Sequence, residues 1–183
     1  MKIYFDTEFT GLHKDTTLIS IGLVAEDGKT FYAELTDYDK SQCDEWIEKN
    51  VIGNLLYPNQ EGAQNDGNNM VVIGNKELVK SYLTSWLDQY KSVEFVSDVC
   101  HYDMVLLIDI FGHAFKLPSH VCAACHDINQ DIARHYDVDE IVAFDKSREE
   151  IIAENAIAIE GEGRGIALSI SFTASRSLWG AFP

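Results

Sequence analysis

Residues 2–12 of the chain read KIYFDTEFTGL, an apolar run typical of a β-strand that ends on two acids. Asp6 and Glu8 stand two positions apart, and side chains two apart on an extended strand point to the same face. Two carboxylates on one face repel each other unless a cation lies between them. Because hard divalent cations prefer such oxygen ligands, this stretch predicts half of a metal site on a rigid first strand.

Beyond this stretch the pattern of apolar residues alternates between strand and helix periods. We predict strands over 2–6, 17–25, 30–36 and 93–97, and helices over 41–52, 76–90, 102–111, 127–136 and 147–155. Asp27-Gly28 is typical of a tight hairpin turn. Residues 53–75 are rich in turn-forming Asn, Gly and Pro and predict a polar loop. The order favours an α/β fold that opens with three meandering strands.

Length and charge exclude some classes of protein. The 183 residues suit one domain, and no apolar run approaches the roughly 20 residues of a membrane span. No basic segment precedes an apolar stretch at the start of the chain, so we expect a cytoplasmic protein with no membrane contact. The formal net charge of −16 argues against broad binding to duplex phosphates. It leaves open a small site where metal ions supply the positive charge.

A second acidic motif lies in residues 95–107, FVSDVCHYDMVLL, where a buried strand leads through a short turn into an apolar helix. Asp103 would lie near the start of that helix, where a negative charge also suits the helix dipole. Asp98 and Asp109 are alternatives for a third ligand. Spacing does not choose among the three.

These motifs resemble a known family. Phe5-Asp6-Thr7-Glu8 resembles the first motif of the DEDD superfamily of 3′→5′ exonucleases, and Tyr102-Asp103-x-x-Leu106 resembles the second. The stretch from FDTEF to LISIGLVAEDG is especially similar to a bacterial and phage branch of exoribonucleases. The resemblance extends over about residues 2–160. It implies an RNase H-like fold, in which helices flank a mixed five-stranded sheet.

The resemblance also implies a mechanism. Two Mg²⁺ or Mn²⁺ ions about 4 Å apart would clamp the scissile phosphate and release a nucleoside monophosphate. Asp6 would bind both ions, Glu8 one of them and Asp103 the other, and these three acids would be the catalytic residues. The partner would be the 3′ end of single-stranded RNA or DNA, with RNA favoured. Close members of the family are commonly dimers, which leaves a homodimer open.

The same resemblance implies a set of substrate-binding residues beside the terminal sugar and base. They would be Thr7, Phe9, Thr10 and Leu12. For Phe9 and Leu12, packing in the core is an equally open alternative.

The family's third motif, His-x-Ala-Leu-x-Asp-Ala, is absent from the sequence. Residues 161–183 of the single 1–183 domain are instead rich in Gly, Ala, Ser and Arg, as in a frame-shifted or divergent tail. A natural helix and strand unrelated to catalysis is the alternative. Glu160 and Glu162 could replace the fourth acid by position, and Tyr136 with Glu140 has the spacing of a sister branch. We therefore expect a weak or inactive exonuclease, or alternatively a catalytically dead relative that binds a nucleic-acid end or a protein.

Cys122-Ala123-Ala124-Cys125-His126 fits the spacing of c-type haem attachment and could form half of a zinc site. Haem attachment requires export, for which we find no signal, and no second Cys or His pair completes a zinc site. Packing of two small thiols is the favoured interpretation.

Overall fold

A mixed β-sheet lies at the centre of the computed structural model, which describes residues 1–57 and 60–139. The seven strands in these residues are β1 (Lys2–Phe9), β2 (Leu18–Ala25), β3 (Thr30–Leu35), β4 (Gly62–Asn65), β5 (Asn69–Gly74), β6 (Val93–Ser97) and β7 (Val121–Asp127). Their order across the sheet is β4-β5-β3-β2-β1-β6-β7. Neighbouring strands run antiparallel from β1 to β3 and parallel from β1 through β6 to β7. Strand β1 therefore lies in the interior of the sheet.

The predicted three-stranded meander is confirmed. Ile21 of β2 pairs with Thr7 of β1 on one side and with Ala33 of β3 on the other. The turn between β2 and β3 contains Gly28 at φ 85°, a conformation that glycine adopts without strain. Strands β1 to β3 bury nearly every apolar side chain, which explains their strong β pattern.

The prediction of one long loop over residues 53–75 is wrong, because β4 and β5 form a hairpin there. The Asn- and Gly-rich residues 65–69 make the hairpin turn, in which Asp66 accepts hydrogen bonds from the amides of Asn68 and Asn69. The apolar run that follows pairs with β3 and buries Val72 completely. The turn-forming residues thus connect two short strands and do not form a long loop.

Four α-helices accompany the sheet in the described residues. They are α1 (Glu45–Asn50), α2 (Lys76–Leu87), α3 (His101–Phe111) and α4 (Ile128–Tyr136). Each predicted helix in this part of the chain is found, although α1 is much shorter than residues 41–52 and is preceded by a 3-10 turn at Lys40–Gln42. Asn75 caps α2 through its side chain, and Gly112 at φ 93° ends α3. Both features agree with the sequence pattern.

The architecture confirms the predicted α/β class and is compatible with an RNase H-like fold. Strands β3-β2-β1-β6-β7 supply the five expected strands, and β5 and β4 extend the sheet beyond β3. The predicted helix 147–155 and the atypical tail 161–183 lie outside the described residues. No helix within those residues is both long enough and apolar enough to cross a bilayer.

Candidate functional site

The two acids of the first motif lie at the end of β1, between β2 and β6. Asp6 pairs with Gly22 and Glu8 with Ser20 across the β1–β2 ladder, whose register shifts immediately after Glu8. Alternation along the strand places Asp6 and Glu8 on one face and Thr7 on the other. The first residues of α3 lie beside the same strand end, where Tyr102 stacks on Phe9 with ring centroids 5.3 Å apart.

Glu8 is the most unusual group of the site. Its side chain is only 5% exposed, and neither of its carboxylate oxygens has a hydrogen-bond partner among the described residues. Burial, followed by the negative charges of Asp6 and Asp103, raises the pKa of Glu8 to about 8. A buried carboxylate in this position is unfavourable unless it binds a proton or a cation.

Asp103 is equally buried but well supplied with donors. The Thr7 hydroxyl donates to Oδ1 at 2.5 Å, and the Ser97 hydroxyl donates to Oδ2 at 2.7 Å. Burial raises the pKa of Asp103 to about 6, the two hydroxyl donors act in the opposite direction, and the charge of Asp98 raises it again. The first turn of α3 holds this carboxylate against β1, 96 positions from Thr7 in the chain.

The three predicted ligands therefore lie close enough for the charges of Asp6 and Asp103 to act on Glu8. The competing candidates have other partners: Asp109 forms a surface ion pair with Lys76 at 2.9 Å, and Asp98 accepts a hydrogen bond from Asn129. Among the three acids that spacing left open, the structure brings Asp103 to the strand end.

These acids are not arranged as a finished coordination sphere. Within residues 1–57 and 60–139, no three His, Cys, Asp or Glu side chains form a group that could hold a metal ion as they stand. The Asp103 carboxylate is hydrogen-bonded to the hydroxyls of Thr7 and Ser97, and the Thr7 side chain lies on the face of β1 opposite to Asp6 and Glu8. Metal binding by Asp6, Glu8 and Asp103 thus remains a prediction, and it requires the Asp103 carboxylate to turn.

Three of the four predicted substrate-binding side chains are buried in the protein. Thr7 bonds to Asp103, Phe9 is 3% exposed in its stack on Tyr102, and the Thr10 hydroxyl is hydrogen-bonded within the protein. Leu12 is 39% exposed and is the member of the set that can meet a ligand directly.

Ser97 was missed in the sequence analysis. It was assigned to a strand, yet its buried hydroxyl orients Asp103. A polar residue that closes a buried apolar strand, just before an acidic turn, is the signal that could have identified it.

Cys122 and Cys125 are free thiols on β7, a strand that the sequence analysis did not predict. Residues three apart on a strand point to opposite faces, so the two thiols do not converge on one ligand. The described residues thus give no support to the haem or zinc alternatives.

Comparisons with known proteins find similarity to curated relatives. No protein-family model matches the chain. The chain is 29% identical over 132 residues to a protein of Mycobacterium tuberculosis (strain ATCC 25618 / H37Rv) that is named a 3′-5′ exoribonuclease. Its counterpart in strain CDC 1551 / Oshkosh carries the same functional name and matches equally well. Each alignment covers 71% of this chain and 73% of the relative.

Proposed function

We propose that this protein is a metal-dependent 3′→5′ exonuclease that removes nucleoside monophosphates from single-stranded nucleic acid, with RNA favoured. One observation carries the proposal: the buried Glu8 carboxylate has no hydrogen-bond partner within residues 1–57 and 60–139 and is repelled by Asp6 and Asp103. Such a cluster is destabilising by itself and becomes favourable when a cation neutralises it. The names of the mycobacterial relatives support the same reaction.

The donor set fits Mg²⁺ or Mn²⁺, since carboxylate oxygens are the ligands that these ions prefer in proteins. Asp6, Glu8 and Asp103 would hold the metal, which would activate water and stabilise the leaving oxygen. In this proposal Thr7 and Ser97 set the starting orientation of the Asp103 carboxylate. Each oxygen of Asp103 receives one hydroxyl bond, and the carboxylate would turn from this orientation to bind a cation.

The terminal nucleotide would lie against the β1–β2 loop, residues 10–17, which follows directly on the acidic strand end. The exposed Leu12 side chain suits contact with the face of a base or sugar. A net charge of −16 disfavours a long phosphate track, so recognition would concentrate on the strand terminus. Preference for RNA would come from contacts to the 2′-hydroxyl.

The absence of the family's third motif lowers the expected rate. Loss of a general base typically costs about 10²- to 10⁴-fold. The second candidate function, a catalytically dead relative that binds a nucleic-acid end or a protein, is favoured by this absence. A catalytically dead relative would still bind metal through the three acids, whereas a structural protein without a metal site would not.

The test is a gel assay with single-stranded RNA labelled at its 5′ end, in Mg²⁺ or Mn²⁺. We expect stepwise shortening from the 3′ end that is lost in Asp6→Asn, Glu8→Gln and Asp103→Asn. Asp109→Asn is the matched control, because it alters a surface acid of the same helix. A metal-dependent rise in melting temperature without trimming would support the end-binding candidate. Trimming that survives all three substitutions would refute this site.

A further inference from the structure

The β1–β2 loop is held closed by a buried threonine. Thr10 is 2% exposed, its amide donates to the carbonyl of Thr17 at 3.0 Å, and the amide of Thr17 donates back to Thr10 Oγ1 at 2.9 Å. A further hydrogen bond crosses the loop, in which the Gly11 amide donates to the Thr16 hydroxyl at 3.1 Å. The Thr10 hydroxyl is thus used inside the protein and is not presented to a ligand.

A residue from outside the loop completes this arrangement. Gln42 ends the 3-10 turn Lys40–Gln42, and its Oε1 accepts a hydrogen bond from the Thr10 hydroxyl at 2.5 Å. Its Nε2 donates to the carbonyl of Asp15 at 2.9 Å. One side chain therefore joins the beginning of the loop to its far arm.

The contact requires an amide. The acceptor atom of Gln42 serves a hydroxyl and its donor atom serves a carbonyl, so each end of the group has a distinct role. A carboxylate at this position would keep the acceptor but face the Asp15 carbonyl without a hydrogen to donate. Alanine would lose both bonds.

We infer that Gln42 is a positioning residue for substrate, which acts through Thr10 to hold the β1–β2 loop, and with it Leu12, in the shape that receives the terminal nucleotide. The inference rests on the proposed function, since it assigns the terminal nucleotide to this loop. A preformed loop binds more tightly than a mobile one because less order is lost on binding. The proposed role is indirect, because the side chain of Gln42 bonds to Thr10 and Asp15 of the loop.

The chain offers a close control in Gln89. Its side chain also makes two hydrogen bonds, accepting from Lys29 at 2.6 Å and donating to the carbonyl of Trp86 at 2.7 Å. It belongs to the turn after α2 and makes neither of these bonds to the β1–β2 loop. Gln42→Ala and Gln89→Ala therefore remove the same number of side-chain bonds from different places.

The experiment measures two quantities in both variants and in Gln42→Glu. Native-state hydrogen exchange follows the amides of Gly11 and Thr17, which are bonded to loop hydroxyls. Fluorescence anisotropy measures the affinity for a labelled single-stranded RNA oligonucleotide in Ca²⁺, which replaces Mg²⁺ to suppress cleavage. One ordinary hydrogen bond corresponds to about a fivefold change in an equilibrium. In Gln42→Ala we expect the exchange rates of these two amides and the Kd for RNA each to rise by about five- to 30-fold. The rise should be smaller in Gln42→Glu and absent in Gln89→Ala.

The outcomes separate this inference from the proposed function. Unchanged loop exchange in Gln42→Ala would overturn it, as would faster exchange with unchanged RNA affinity. Equal loss of affinity in Gln89→Ala would also overturn it, because the effect would then be general destabilisation. A wild-type protein that binds no RNA would refute the proposed function and this role together.

Discussion

Replacement of Glu8 by glutamine is expected to stabilise the metal-free protein above neutral pH. The usual pKa of this group is 4.5, and in the folded chain it is about 8. Between these values the folded state keeps a proton that the unfolded state has lost, so the free energy of unfolding falls as pH rises through this window. The gap between the two values corresponds to about 5 kcal/mol, of which about 3 kcal/mol is already lost at pH 7.

Glutamine is neutral at every pH and resembles the protonated acid. At about pH 3.5, where the acid is protonated in both the folded and the unfolded state, wild type and Glu8→Gln should therefore have similar stability. From about pH 5.5 to about pH 8.5 the wild type should lose roughly 3 kcal/mol relative to the variant. For a chain of this size the corresponding difference in melting temperature is about 6–12 °C. Urea unfolding in EDTA, followed by circular dichroism at several pH values, measures the difference directly.

Glu34→Gln is the control for amidation of a buried glutamate. Glu34 is 3% exposed, and its Oε1 accepts from the Tyr32 hydroxyl at 3.0 Å and the Tyr57 amide at 2.9 Å. Because a neutral amide is a weaker acceptor, this variant should lose stability instead. Mg²⁺ should stabilise the wild type at high pH and have less effect on Glu8→Gln. Parallel stability curves for wild type and Glu8→Gln would refute our account of the site.

Three further substitutions test the framework around the site. Ser97→Ala should lower the free energy of unfolding by about 1–3 kcal/mol and weaken metal binding, since it removes a hydrogen-bond donor from buried Asp103. Urea unfolding measures the first effect and a Mn²⁺ titration the second. Leu107→Ala, at a fully buried position of α3, should cost about 2–5 kcal/mol through the cavity it leaves, measured by the same unfolding assay. Gly112→Ala should lower the free energy of unfolding by about 1–2 kcal/mol because φ is 93° there, and no atom of the described residues lies within 4 Å of an added Cβ, so a clash does not contribute. A loss in Gly112→Ala as large as that in Leu107→Ala would contradict the strain argument.

Local pattern predicted most of the described elements because each signal lies within a few residues. Apolar periodicity predicted the three-stranded meander, α2, β6 and α3. The hairpin turn added evidence for the meander, the Asn75 cap for α2 and the terminal Gly112 for α3. Three strands were missed, of which β4 is the short partner of β5 in the hairpin. Strand β5 was hidden among turn-forming residues, and β7 carries small exposed side chains at the sheet edge, where no apolar alternation is required.

The candidate site divides in the same way. Asp6 and Glu8 were identified from their spacing alone, because period-two alternation on a strand is a local property. The choice of Asp103 over Asp98 and Asp109 depended on the resemblance and then on the packing of α3 against β1. The hydrogen bonds between Ser97 and Asp103 and between Thr10 and Gln42 could not be predicted from the sequence, since each joins separate elements.

The amino-acid sequence by itself determined the order of strands and helices, the acidic end of the first strand and the family resemblance. Only the tertiary structure decided that Glu8 is buried with no hydrogen bond from the described part of the chain, whereas Asp103 receives two. It also decided that a distant glutamine closes the loop after β1. The physical reason is that backbone pattern depends on near neighbours. Burial, charge repulsion and hydrogen bonding depend on which distant segments the fold brings into contact.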